Sequence, residues 1–126
     1  MKAKSGVIKE NLTQHGQEKS AITNYKVEKE WKKSYLIDDV QTEIDFSQIR
    51  LILETGRMHQ IRIHLAKQGC PIAGDDQHGN FKINKLLKKH FKVKRFLLAS
   101  VRLTIPIENK ECVFEIENPF RELEVY

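Results

Sequence analysis

The segment spanning residues 53–65 constrains the fold most, because the residue pattern changes there from that of a strand to that of a helix. The apolar run over residues 46–54 is typical of a central strand that is covered on both faces. A Thr-Gly pair interrupts this run, and Gly69 is a common type of helix stop. We therefore predict a helix over residues 57–68 with Thr55 as its N-cap, although alternation within the same segment would also suit a strand.

Alternating apolar and polar residues predict further strands, at residues 20–31, 35–37, 97–107 and 112–116. The last two are expected to form a hairpin around a turn at residues 108–111. Apolar residues at helical spacing predict an amphipathic helix over residues 82–92. Residues 1–18 show little periodicity, so we expect an irregular N-terminal arm. These elements predict an α+β fold with a mixed, largely antiparallel sheet and two short helices.

The bulk properties are those of one soluble domain, or of a piece of one, with 126 residues. No apolar run approaches the roughly 18 residues that a membrane span requires, and no apolar stretch follows the basic N-terminus. We therefore expect a cytoplasmic protein without a membrane partner. Cys70 and Cys112 have no nearby cysteine partner and are expected to be free thiols.

Positive charge is concentrated in one part of the chain, whose formal net charge is +5. No acidic residue occurs between Asp76 and Glu108, an interval that contains many lysines and arginines. Four of the lysines share one face of the predicted helix over residues 82–92: Lys82, Lys85, Lys88 and Lys89. This distribution favours a surface that binds phosphate, and the alternative is a solvated helix face without a partner.

The segment over residues 57–64 is the best candidate for a functional site. A helix that begins after a glycine turn attracts phosphate at its N-terminus, where Arg57 and His59 would add donors. Arg62 lies between two isoleucines, so we expect its guanidinium to be partly buried and to require a carboxylate partner. The alternative is a structural ion pair with one of the chain's own acids.

Other chemistry is less favoured by the sequence. His59 and His64 are five residues apart, which is a poor spacing for a shared metal ion on a helix, so we expect no metal site. The Asp75-Asp76 pair could act as catalytic carboxylates, but acids in a glycine-bounded loop more often cap turns. No serine lies in a nucleophile elbow, and no phosphate-binding glycine motif is present.

The motif at residues 55–64, Thr-Gly-Arg-Met-His-Gln-Ile-Arg-Ile-His, resembles the TGRxHQIRxH motif of the RluA-type pseudouridine synthases. Residues 69–75 are similar to the family's G-x-P-I-x-G-D segment, and residues 19–23 to its K-x-A-x-T strand entry. Residues 79–85 and 96–99 resemble the branch that acts on the ribosomal large subunit. The resemblance spans residues 6–123, and the ten-residue motif is highly specific.

The resemblance implies an aspartate in an H-R-L-D motif and a tyrosine in a Y-x-A-L strand, and neither motif occurs in this sequence. Residues 19–126 therefore resemble the C-terminal part of the catalytic domain. By resemblance, Arg62 pairs with the catalytic aspartate and Ile61 lines the uracil pocket. Arg57, His59 and Gln60 are assigned to positioning RNA or the motif loop.

The function that the resemblance implies is isomerisation of uridine to pseudouridine in RNA, with large-subunit ribosomal RNA as the expected partner and without a metal or organic cofactor. We expect the chain to be inactive by itself. A sheet lacking neighbouring strands would leave an open edge, so a homodimer through that edge is also expected. The alternative is an RNA-binding module without chemistry. Which uridine is modified stays open.

Overall fold

The computed structural model describes residues 3–37, 39–91 and 95–115. The chain divides into two compact units, Met1–Cys70 and Pro71–Tyr126. The elements in chain order are β1 (Ser5–Lys9), β2 (Leu12–Gln14), β3 (Gln17–Lys19), β4 (Ile22–Ile37), β5 (Val40–Leu53), α1 (Gln60–Lys67), α2 (Phe81–Phe91), β6 (Arg102–Ile107) and β7 (Lys110–Glu115). All strand pairs among the described residues are antiparallel, and the predicted α+β class with two short helices is confirmed.

The first unit contains a three-stranded sheet in the order β1-β4-β5, so β4 is central. β1 pairs with the first part of β4, whereas β5 pairs with β4 from Leu53 opposite Thr23 to Val40 opposite Ile37. The register shifts between Val27 and Lys29, as at a β-bulge. The sheet therefore continues beyond β1 as a long hairpin.

Two sequence predictions are wrong for this sheet. The segments predicted as separate strands at residues 20–31 and 35–37 form one strand, β4. The next strand, β5, already begins at Val40, and alternate residues in it, such as Ile44 and Phe46, are buried. The apolar run at residues 46–54 is not a central strand, since β5 lies at an edge of the described sheet and Ile52 is 66% exposed. Apolar composition alone does not reveal whether both faces are covered.

The irregular arm expected over residues 1–18 is also wrong, because β1, β2 and the first part of β3 lie within this range. β2 and β3 form a tight hairpin whose two turn residues, His15 and Gly16, both have positive φ, as a two-residue hairpin turn of this kind requires. Ile8 and Leu12 are buried and join the core of the first unit with Ala21. These strands are so short that too few residues alternate to give a recognisable pattern.

α1 begins later than predicted, at Gln60 rather than at residue 57, and Thr55 is not its N-cap. The N-cap is His59, whose φ is 55° and whose side chain makes no capping hydrogen bond. The predicted stop is confirmed: Gly69 has a φ of 77°, and the N–H groups of Gly69 and Cys70 bond to the carbonyl groups of residues 66 and 65. This pair of bonds is the Schellman arrangement.

The second unit contains α2 and the β6-β7 hairpin. α2 lies within one residue of its prediction and buries Leu86 and Leu87. The hairpin turn is formed by Glu108 and Asn109, both with positive φ, as in a two-residue hairpin turn. The strand predicted from residue 97 begins only at Arg102, because residues 97–101 make no strand pairing.

The cysteines and the lengths of the helices were also subjects of prediction. Cys70 and Cys112 are half-buried, and neither forms a disulfide with a described residue. No helix within the described parts of the chain is long and apolar enough to cross a membrane.

Candidate functional site

Gln60 is the most constrained residue of the motif, with only 2% of its surface exposed. Its Nε2 donates to the carbonyl oxygen of Ile22 at 3.0 Å and to Oγ1 of Thr23 at 2.9 Å. Its Oε1 accepts from Oγ1 of Thr55 at 2.6 Å and from the backbone N–H of Arg57 at 3.1 Å. Every hydrogen-bonding position of the amide is used. If the amide oxygen and nitrogen were exchanged, the NH₂ group would face the N–H of Arg57, and both groups are donors.

His64 lies one helical turn after Gln60 and is fully buried. Its Nε2 is 2.8 Å from the carbonyl oxygen of Glu10, which can only accept, so Nε2 carries a proton. Its Nδ1 is 2.8 Å from Oγ1 of Thr23. The same oxygen accepts from Gln60 Nε2 at 2.9 Å. Both ring nitrogens are therefore used within the protein.

The loop before α1 is held by further contacts. Arg57 Nε donates to the carbonyl oxygen of Ser20 at 2.9 Å, and Thr55 Oγ1 accepts from the backbone N–H of Ile22 at 2.9 Å. The side chain of Gln14 donates to the carbonyl oxygen of Met58 at 2.8 Å. The loop is thus attached both to the start of β4 and to the β2-β3 hairpin.

The other half of the motif faces away from this network. His59 and Met58 are exposed, and Ile61 and Arg62 are half-buried. His59 Nε2 lies 3.4 Å from Arg62 Nη1, as expected for side chains three residues apart on one helix face. The first turn of α1 contains no acidic residue. This face therefore presents donors and positive charge without an acid in the adjoining turn.

The second unit holds the lysine-rich helix. Lys82, Lys85, Lys88 and Lys89 are exposed, and none of them forms an ion pair with another described residue. Like charges three and four residues apart on a helix repel each other, so these lysines destabilise the helix unless an anionic partner binds them. We call these four lysines the α2 lysine face.

The loop preceding α2 is organised around Asp75, which is fully buried. Its Oδ1 accepts from the backbone N–H groups of Gln77 and His78, both at 3.0 Å. Asn84 of α2 donates to the Asp75 carbonyl oxygen at 2.9 Å and accepts from the Gly74 N–H at 2.8 Å. Asp75 therefore caps a turn, which is the role that the sequence favoured over catalysis for acids in this loop. Asn84 attaches that turn to α2.

The structure brings Arg57, His59, Gln60, Ile61 and Arg62 together within one loop and helix of the first unit. The α2 lysine face belongs to the second unit. Within the parts of the chain that the structure describes, no group of three or more histidine, cysteine, aspartate or glutamate residues could hold a metal ion.

Sequence reasoning missed two residues that organise these segments, Thr23 and Asn84. A signal for Thr23 was present, because it occupies an inward position of an alternating strand, where a polar residue requires a partner. Asn84 gave no comparable signal, because it lies four residues before Lys88 at the border of the lysine-bearing side of α2. In both cases the partner lies in another segment, which the sequence did not identify.

Known proteins provide a comparison for this arrangement. No model of a protein family matches the sequence. The tRNA pseudouridine synthase C of Vibrio vulnificus is 34% identical over 107 residues, which cover 83% of this chain and 43% of that protein. The ribosomal large subunit pseudouridine synthase C of Rickettsia prowazekii is 35% identical over 102 residues, or 81% of this chain and 29% of that protein. The chain belongs to the RluA-type pseudouridine synthase family.

A solved structure agrees with this membership at the level of the fold. Human RNA Pseudouridylate Synthase Domain Containing 1 superposes with a TM-score of 0.66 and 20% identity, over 95% of this chain and 51% of that one. The ribosomal large subunit pseudouridine synthase D of Blochmanniella floridana is 29% identical over 90% of this chain and 31% of its own length. This RluA-type chain therefore spans less than half the length of the curated relatives named here.

Proposed function

We propose that residues 19–126 form the C-terminal part of the catalytic domain of an RNA pseudouridine synthase. The observation that carries the proposal is the division of the family motif into two faces. Gln60 and His64 are buried in a complete hydrogen-bond network, while Arg62 and His59 share the opposite face of α1. A helix built in this way can present a guanidinium to a reacting group without changing its own position.

The proposed reaction isomerises uridine to pseudouridine in RNA. The bond between N1 of uracil and C1′ of ribose breaks, the freed base rotates, and C5 of uracil bonds to C1′. C5 then loses its hydrogen as a proton and N1 gains a proton, so that the product is an isomer of uridine. An aspartate promotes the first step in the family, and the H-R-L-D motif that contains it does not occur in these 126 residues. We therefore propose that this chain is inactive alone and that the aspartate comes from a segment outside it.

Arg62 is the residue that we propose to face this aspartate, with Ile61 lining the pocket for the uracil that has left its stack. A guanidinium beside a carboxylate stabilises the ionised form and fixes its direction through paired hydrogen bonds. His59 and Arg57 are proposed to contact RNA near the pocket. Gln60 is proposed to order the motif loop, consistent with its contacts to Thr55 and Arg57.

RNA affinity is proposed to come from the α2 lysine face, since exposed lysines bind phosphates without reading the base sequence. Large-subunit ribosomal RNA is the proposed substrate. Relatives named for tRNA and for the ribosomal large subunit both match this chain, so the test includes both classes of RNA.

The test measures tritium released from C5 of labelled uridine in ribosomal and transfer RNA. We expect no release with the 126-residue chain alone, and release when the chain is part of a polypeptide that carries an H-R-L-D segment. Changing Arg62 to alanine in that polypeptide should lower the rate at least about 100-fold, as for the loss of a group that stabilises transition-state charge. Release by the isolated chain would contradict its proposed inactivity.

A second candidate function is an RNA-binding module without chemistry, which the α2 lysine face would equally suit. This alternative predicts salt-dependent RNA binding but no tritium release from either class of RNA, even when an H-R-L-D segment is present.

A further inference from the structure

The orientation of α1 relative to the sheet depends on contacts with other elements. It has eight residues, and isolated helices shorter than about 12 residues are marginal in water. Its N-cap, His59, has a φ of 55° and gives no side-chain hydrogen bond to the first turn. The direction in which the helix side chains point is therefore set by contacts with other elements.

Thr23 makes two such contacts with a single atom. It lies on the central strand β4 and is fully buried, and its Oγ1 bonds to Gln60 Nε2 at 2.9 Å and to His64 Nδ1 at 2.8 Å. These partners are one helical turn apart on the same face of α1. Because one hydroxyl bonds to two side chains that are one turn apart, the two bonds together restrict both the tilt and the rotation of the helix.

The rotation of α1 determines where Arg62 points. At 3.6 residues per turn, Arg62 lies about 200° around the helix from Gln60, on the face opposite the strand. A rotation that breaks the Thr23 contacts therefore moves Arg62 by the same angle. His59, which lies 3.4 Å from Arg62 at the closest nitrogen atoms, would lose its present relation to the guanidinium as well.

We propose that Thr23 is the positioning residue for Arg62: its hydroxyl holds α1 against β4 in the orientation that presents the guanidinium to the proposed catalytic aspartate. What Arg62 meets rests on the proposed function, whereas the contacts of Thr23 are properties of this chain. The γ-methyl group of Thr23 contributes by restricting χ1, but the hydroxyl is the essential group.

The first experiment uses the 126-residue chain and needs no RNA. Nitrogen-15 NMR would report the tautomer of His64 and the Nε–H signal of Arg62 in Thr23→Val, Thr23→Ser and Thr23→Cys. We expect Ser to preserve both signals, and Val and Cys to change both, since a thiol is a weak donor and acceptor. If Val does not fold, the comparison of Ser with Cys still decides. Thr42→Val, which removes a hydroxyl of β5 bonded to its own strand, is the matched control and should change neither signal.

The second experiment measures turnover in the polypeptide that carries an H-R-L-D segment. Thr23→Cys should lower kcat between about 10- and 100-fold with little change in KM, as expected when a reacting group is displaced by about 1 Å. The same change in an Arg62→Lys background should have little further effect, because the two residues act through one another. Equal effects in both backgrounds, or unchanged Arg62 and His64 signals in the Val and Cys variants, would overturn the proposal. Absence of turnover in the unsubstituted polypeptide would refute the proposed function, and the NMR comparison would still decide the role of Thr23.

Discussion

Gln60 Oε1 lies 2.6 Å from Thr55 Oγ1, so the first residue of α1 is attached directly to a residue two positions beyond the end of β5. The same amide reaches the backbone of β4 at Ile22. A single buried side chain therefore joins the edge strand, the central strand and the helix that bears the candidate site.

Replacing Gln60 by leucine is expected to destabilise the first unit by about 2–3 kcal/mol or more. The substitution leaves the N–H of Arg57 and the hydroxyl hydrogen of Thr55 without their present acceptor, and each buried group left unpaired costs roughly 1–3 kcal/mol. Urea unfolding followed by circular dichroism would measure the change. Gln41→Leu, at an exposed position of β5, is the control and should change stability by less than about 0.5 kcal/mol. Equal stabilities of the two variants would contradict the structural role given to the amide.

The start of α1 shows why part of the site could not be predicted from its sequence. The helix stop was predictable because Gly69 acts through bonds to carbonyl groups of the same helix. The start depends on bonds between Gln60 and residues 22 and 23, which are distant in the sequence. Local pattern therefore identified the segment and its end, whereas it assigned Thr55 to a helix cap that the structure does not contain.

The strands show the same difference between features that depend on local sequence and features that depend on distant residues. The hairpin turn at residues 108–109 and the limits of α2 follow from local spacing and agree with prediction to within one or two residues. The positions of strands within the sheet are decided by pairing between distant segments. The apolar run of β5 gave no sign that this strand lies at an edge, and the pairing of β1 with β4 left no signal in residues 5–9.

Gly74 is expected to be the least tolerant glycine of the second unit. Its φ is 85°, and a Cβ added there would lie 2.2 Å from the carbonyl oxygen of Arg95. Gly69 has a similar φ of 77°, but a Cβ there would meet nothing within 4 Å. Gly69→Ala should therefore cost only the roughly 1–2 kcal/mol of the left-handed conformation.

Gly74→Ala should cost at least about 2 kcal/mol more than Gly69→Ala, because overpacking against backbone forces the loop to shift. Thermal unfolding of both variants, compared with the unsubstituted chain, measures this difference. Similar losses in the two variants would show that the loop around Asp75 adjusts to the added methyl group.

The α2 lysine face predicts a specific salt dependence of RNA binding. Each lysine that neutralises a phosphate of a single strand contributes about 0.7 to the slope of log K against log salt. Changing Lys85, Lys88 and Lys89 together to alanine should therefore reduce the slope by about 2. Fluorescence anisotropy with a labelled single-stranded RNA at several salt concentrations would measure it.

The matched control for this titration removes the same charge from lysines that already have partners. Lys4, Lys32 and Lys67 form ion pairs with Glu30, with Glu43 and Asp45, and with Glu10 respectively. Their combined change to alanine should leave the slope nearly unchanged. A loss of slope as large as that of the α2 variant would mean that net charge, rather than the α2 lysine face, governs affinity.

The homodimer expected through an open sheet edge would form at β5. β5 is an edge strand in the order β1-β4-β5, and Ile52 near its end is 66% exposed, so a second copy could pair with it. Ile52→Lys should weaken self-association, because a charged side chain disfavours pairing at a sheet edge. Val7→Lys on β1, whose side chain is 50% exposed at the opposite edge, is the control and should have no effect. Light scattering over a range of protein concentrations separates the outcomes. A monomer at every concentration would exclude the dimer, and dissociation by Val7→Lys alone would place the contact at β1.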